Sequence, residues 1–132
     1  AVAAADEFIL VTTPDASSIQ DVDRVLGILE AEGRTATRLV INRVRPELVR
    51  RGDMLTPQQI MEMLAIELLG ITPENEIVLL SNMHGNPIAN DDKALAARAY
   101  HNMARRLCGE KVDFIPILEG RKHWWQRLWH RT

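Results

Sequence analysis

Residues 7–13, EFILVTT, form a nearly continuous run of apolar and β-branched side chains. Such a run, with no alternation of polar and apolar positions, reads as a strand buried on both faces, as in parallel sheets covered by helices on each side. Pro14-Asp15 breaks it. Asp15, or Ser17 or Ser18, then caps a helix through SSIQDVDRVLGILEAEG. In that helix Ile19, Val22, Val25, Leu26 and Leu29 recur at i, i+3, i+4 spacing, and Gly33 is a natural stop. TRLVINRV, Thr37–Val44, is a second buried strand. Strand, helix and strand of these lengths imply a right-handed parallel crossover.

Further along, RPELVRRGDML is polar, carries Pro46 and Gly52, and reads as an ordered surface loop. TPQQIMEMLAIEL has Thr56 placed as an N-cap and Pro57 at the first helical position, with Ile60, Met63, Leu64 and Glu67 at helical spacing. LLGITP, residues 68–73, is a short third strand. NEIVLLSNMHG is a short helix or an irregular segment stopped by Gly85. NDDKALAARAYHNMARRLCG is an amphipathic helix capped by Asn90 or Asp91, lined by Leu95, Ala99, Met103 and Leu107, and ended by Gly109. VDFIPIL is an extended link. Alternating strands and helices make an α/β chain with a parallel sheet. At 132 residues and 46% hydrophobic composition, the chain has the size and the apolar content of one domain. It opens on AVAAADEF, without Met and in what reads as the end of a helix, so an upstream part is expected.

Charge divides the chain in two. Residues 119–132 carry Arg121, Lys122, Arg127 and Arg131 against Glu119, about +3, whereas residues 1–118 carry about −5, for a total of −2. The same fourteen residues, EGRKHWWQRLWHRT, hold all three tryptophans. On a helical wheel with Trp124 at the origin, Leu128 falls at about 40°, Trp125 at about 100° and Trp129 at about 140°. The basic side chains lie mostly across the wheel, with Arg131 at the margin and Arg121 interrupting the apolar arc at its start. A bulky apolar stripe flanked by Lys and Arg is the composition of a helix lying in a membrane surface. Fully burying four large side chains yields roughly 6–12 kcal/mol, and anionic lipid adds about 1 kcal/mol per basic residue. Ordering the helix costs about 1–2 kcal/mol per residue. One copy is therefore a weak anchor, and two linked copies gain roughly 10²–10⁴ in avidity. A helix docked on the chain's own core, or a peptide for a partner's groove, is the other reading of this tail.

Chemical motifs are sparse. There is no G-x-x-x-x-G-K-[ST], G-x-G-x-x-G or H-E-x-x-H, and His84, His101, His123 and His130 are dispersed. No catalytic residue and no metal site are assigned. Cys108, alone, cannot form an internal disulfide, which fits a reducing compartment, and it reads as a small packing residue. No apolar run approaches the ~20 residues of a membrane span, and no signal peptide opens the chain. Soluble and intracellular is the reading.

Ligands of parallel α/β sheets collect at the carboxyl ends of strands. Asn42, in the VINRV that ends the second strand, offers an amide donor and acceptor that match the edge of adenine, and Arg43 can stack on a base or pair with a phosphate. The plainer reading makes Asn42 a strand-end cap and Arg43 a solvated charge. TPEN, residues 72–75, is a second strand-end loop that borders the same place, or simply a turn. Asp21 and Asp23 lie about 200° apart on their helix and Asp21 faces Arg24 at i, i+3, so the three form a solvated surface or a binding face.

ADEFILVTTPDASSIQDVDRVLGIL, LVINRVRPELVRRGDMLTPQQIMEML, LLGITPENEIVLLSNMHGNPI and the basic, tryptophan-rich end together resemble the C-terminal portion of the MinD-type septum-site-determining ATPases. These are deviant Walker P-loop proteins of the MinD/ParA family. The resemblance implies part of a mostly parallel P-loop NTPase-type sheet flanked by helices in residues 1–118, plus a C-terminal amphipathic, membrane-targeting helix in 119–132. It also implies an ATP-dependent homodimer that uses ATP and magnesium, binds the cytoplasmic face of the inner membrane peripherally, recruits MinC and is released by MinE. On the matching positions, Asn42, Arg43, Pro73 and Glu74 take the adenine side of the nucleotide site. Asp21, Asp23 and Arg24 take partner binding, and Arg121, Lys122, Trp124, Trp125, Arg127, Leu128, Trp129 and Arg131 take the membrane. The family's P-loop, magnesium ligands and switch segment have no counterpart in this sequence, so phosphate binding and hydrolysis, and tight nucleotide binding, are not expected of this chain alone. A DNA-partitioning ATPase of the ParA type, or a non-enzymatic adaptor whose tail fills a partner's groove, are the alternatives. The acidic body counts against a nucleic-acid partner.

Overall fold

A computed structural model describes residues 2–117, leaving the tryptophan-rich stretch and its proposed membrane face outside the described residues. Within them a 3₁₀ turn, Val2–Ala4, leads into β1 (Phe8–Thr12), α1 (Ala16–Ala31), β2 (Thr37–Val44), α2 (Pro46–Arg51), α3 (Pro57–Leu64), β3 (Glu67–Pro73), α4 (Glu76–Met83), a second 3₁₀ turn (Ile88–Asn90) and α5 (Leu95–Leu107). The strands form one parallel sheet in the order β1-β2-β3, with Leu10 opposite Leu39 and Ile41 opposite Ile71. This is the expected α/β class with a parallel sheet flanked by helices.

The principal core lies on the α1/α3 face, where Ile19, Val22 and Leu26 of α1 and Ile60 and Leu64 of α3 meet Leu39, Ile41, Leu68 and Ile71. On the other face Met103 of α5 packs on Val40 and Leu69. Gly70 stands under the same helix, and a Cβ at that position would overlap Met103 Cγ and Sδ. The lack of a side chain at residue 70 is what lets α5 lie so close to the sheet.

α1 starts as the sequence predicts. The Asp15 carboxylate accepts from the Ser18 amide at 2.9 Å, and the helix stops ahead of Gly33 in the left-handed region (φ 71°). α3 has Thr56 at the cap and Pro57 at the first position, reinforced by Gln59, whose side chain returns to the Thr56 amide as a capping box.

Several expectations are corrected. β1 is not buried on both faces among the described residues: Ile9 and Val11 are 47% and 57% exposed, because α5 covers β3 and reaches β2 but does not extend over β1. Val25, placed in the apolar stripe of α1, is 41% exposed, and the buried set is Ile19, Val22, Leu26 and Leu29. RPELVRRGDML is not all loop, since Pro46 starts α2 and Gly52 (φ 80°) caps it. Glu67 belongs to β3 rather than α3, since Ala65 turns left-handed (φ 53°) and ends the helix. Of the two readings of NEIVLLSNMHG the short helix holds, as α4, capped by Asn75. α5 begins only at Leu95, without a side-chain cap from Asn90 or Asp91, because Ile88–Asn90 is a separate 3₁₀ turn. Its Leu107 is exposed, and Cys108 lies at the surface rather than in packing, both beyond the part of α5 that Met103 presses on the sheet.

Candidate functional site

Parallel strands deliver all their carboxyl ends to one rim, and here that rim holds Thr12-Thr13, Asn42-Arg43 and Thr72-Pro73-Glu74. β2 does not end smoothly. Its pairing with β3 slips between Ile41 and Val44, and Arg43 at the slip takes a left-handed backbone with φ 59°. A non-glycine residue in that region costs about 1–2 kcal/mol. The turn re-aims the last residues of β2 toward β3, and the Glu74 amide donates to the Val44 carbonyl at 2.9 Å, binding the two strand-end loops together.

Side chains complete the junction. Arg43 donates to Glu74 Oε1 from Nη2 at 2.8 Å and from Nε at 3.2 Å. Arg45 approaches the other carboxylate oxygen at 3.4 Å and donates to Glu47 at 2.7 Å. Burial on the sheet side falls to Thr72, which is 2% exposed and donates its hydroxyl to Asn42 Oδ1. Asn42, Arg43, Pro73 and Glu74, chosen from sequence, are therefore brought together at one end of the sheet. Arg43 is paired with Glu74 while its side chain stays largely exposed to solvent. Thr72 is included in the TPEN loop by sequence but given no role of its own. Its signal was a hydroxyl among apolar residues, one place before the proline that closes the strand.

The partner-binding candidates lie elsewhere. Asp21 and Arg24 on α1 are joined at 3.5 Å and are largely exposed, and Asp23 is exposed as well. Asp15, where α1 leaves the rim, is held below the usual carboxylate range by the Thr13 hydroxyl first and then by the Ser18 amide. Among the described residues no three His, Cys, Asp or Glu gather to hold a metal ion, and no helix is long and apolar enough to cross a membrane.

The rim presents an amide with a donor and an acceptor beside a carboxylate bracketed by two guanidinium groups.

No protein-family model matches the chain. Among curated proteins, the septum site-determining protein MinD of Bacillus subtilis is 43% identical over 123 residues, 92% of this chain and 46% of that protein. This is MinD-family sequence. The MinD cell division protein of Aquifex aeolicus superposes with a TM-score of 0.84 at 38% identity, over 87% of this chain and 49% of that one. The MinC:MinD cell division protein complex of the same organism matches with a TM-score of 0.83 at 39% identity, over 85% of this chain and 46% of that one. The chain thus spans somewhat less than half the length of the MinD proteins it matches, and its sheet and helices are those of the MinD fold.

Proposed function

We propose that this chain is the C-terminal part of a MinD-type ATPase acting in division-site selection. It supplies the base-side wall of the nucleotide site in residues 1–118 and a membrane anchor in residues 119–132. The observation that carries the reading is the meeting of Asn42, Arg43, Pro73 and Glu74 at the carboxyl rim of a sheet whose sequence follows MinD along nine-tenths of the chain. ATP supplies the reaction's phosphoanhydride when bound. This chain's residues hold and orient the base, while phosphate and magnesium contacts fall to parts that MinD proteins have and this sequence lacks. ATP-dependent pairing of two copies would place two tails on one membrane, turning a weak anchor into a reversible one. The exposed Asp21, Asp23 and Arg24 on α1 are the surface we assign to MinC and MinE.

Co-sedimentation with vesicles tests the anchor. The intact chain should pellet with anionic vesicles more than with neutral ones, and Trp124→Glu/Trp129→Glu should stay in solution. Equal pelleting of both proteins would sink the membrane assignment. For the surface on α1, Asp21→Lys/Asp23→Lys should weaken MinC capture without changing vesicle binding.

A further inference from the structure

Asn42 can serve a base only if its amide is held in one plane, and the structure shows what holds it. Thr72 is almost completely buried near the end of β3, thirty residues away in sequence, and its hydroxyl donates to Asn42 Oδ1. The bond uses one lone pair of Oδ1. A second Oδ1 lone pair and the Nδ2 hydrogens remain, the adjacent acceptor and donor that fit N6 and N7 of adenine. Asn42 follows directly on Ile41, which pairs with Ile71 just before Thr72, and the slip after Ile41 swings the backbone into left-handed Arg43. The backbone near Asn42 thus departs from regular strand geometry, and the Thr72 hydroxyl supplies a side-chain constraint at that point.

We propose that Thr72 is a positioning residue for base recognition, acting through Asn42 by fixing its amide at the rim. The proposal rests on the base-side reading of Asn42 and adds to it a residue that touches no ligand. A neutral side-chain hydrogen bond of this kind sets the expected effect at about two- to tenfold in affinity.

The test uses the whole chain, labelled with ¹⁵N and titrated with adenosine and guanosine at millimolar concentration. The Asn42 side-chain amide pair should shift with adenosine more than with guanosine. Thr72→Val, close to the same shape, should speed rotation and hydrogen exchange of the Asn42 amide and weaken adenosine binding two- to tenfold, leaving the rest of the spectrum in place. Thr72→Ser should restore both. If Thr72→Val matches the parent while Asn42→Ala abolishes the adenosine-induced shifts of the backbone amides at the rim, the positioning role is overturned and the base-side reading stands. Thr72→Ser behaving like Thr72→Val would also overturn it, since the hydroxyl would then not be the cause. If adenosine leaves Asn42 unmoved in the parent chain, the base-side reading falls and the proposal with it.

Discussion

Arg106, in the last turn of α5, donates from Nη1 to the carbonyl of Leu69 in the middle of β3 at 2.8 Å. Its Nε and Nη2 reach the carbonyls of Val112 and Asp113 at 3.0 Å each, and the guanidinium lies 4.0 Å from the centre of the Phe114 ring. One side chain therefore ties the helix, the sheet and the extended segment after the helix into a single unit. Partial burial lowers the Arg106 pKa from its ordinary value, but a guanidinium remains charged at neutral pH.

Replacing Arg106 with Ala should cost about 2–4 kcal/mol, since several charge-assisted hydrogen bonds are lost and the Leu69 carbonyl is left without its partner. Arg106→Lys should recover only part of this, because one ammonium cannot span three carbonyls. Urea denaturation of the two variants gives the comparison, and equal stability of Arg106→Lys and the parent would remove the strap from the account.

Gly70→Ala should destabilise by about 1–3 kcal/mol through overpacking against Met103. In a Met103→Ala background the same substitution should cost less, because the obstructing side chain is gone. A thermal double-mutant cycle measures the coupling, and strict additivity would count against the close approach of α5.

Asp15→Ala should cost about 1 kcal/mol as a lost N-cap, while Asp15→Asn should keep most of the cap. Acid separates these variants from the parent. The Asp15 pKa is lowered in the folded chain, so the stability its charge contributes is complete above the unfolded-state value and is lost as pH falls through the lower folded value. The parent should lose this contribution below about pH 4, near the ordinary aspartate pKa, and Asp15→Asn should flatten that part of the stability–pH curve. An unchanged acid limb would rule out Asp15 as its source.

Arg43→Gly should leave stability within about 1 kcal/mol of the parent or slightly above it. Relief of the left-handed backbone offsets a largely exposed ion pair with Glu74. Arg43→Val should cost about 2 kcal/mol, because a β-branched residue tolerates that conformation least. Melting both variants would expose an error if Val were as stable as Gly.

The strands and α1 were legible because their signals are local: EFILVTT, TRLVINRV and LLGITP are apolar runs, and Asp15 and Gly33 bound the helix between the first two. α2 was hidden because Pro46 and Gly52, residues that break structure in most places, here start and stop a helix. Exposure was less legible than secondary structure. Ile9 and Val11 look like core until it is known that α5 lies over β3, and Val25 keeps helical spacing while facing outward. At the rim, Asn42 and Glu74 could be picked out singly by their strand-end positions. Thr72 could not, because its role exists only through the β2–β3 register that sets it beside Asn42.

Gly70 and Met103 lie thirty-three positions apart in the sequence, yet they fill one space between α5 and the sheet. The two positions therefore share one volume: a shorter side chain at 103 would make room for a Cβ at 70, whereas methionine at 103 must shift before residue 70 can carry one.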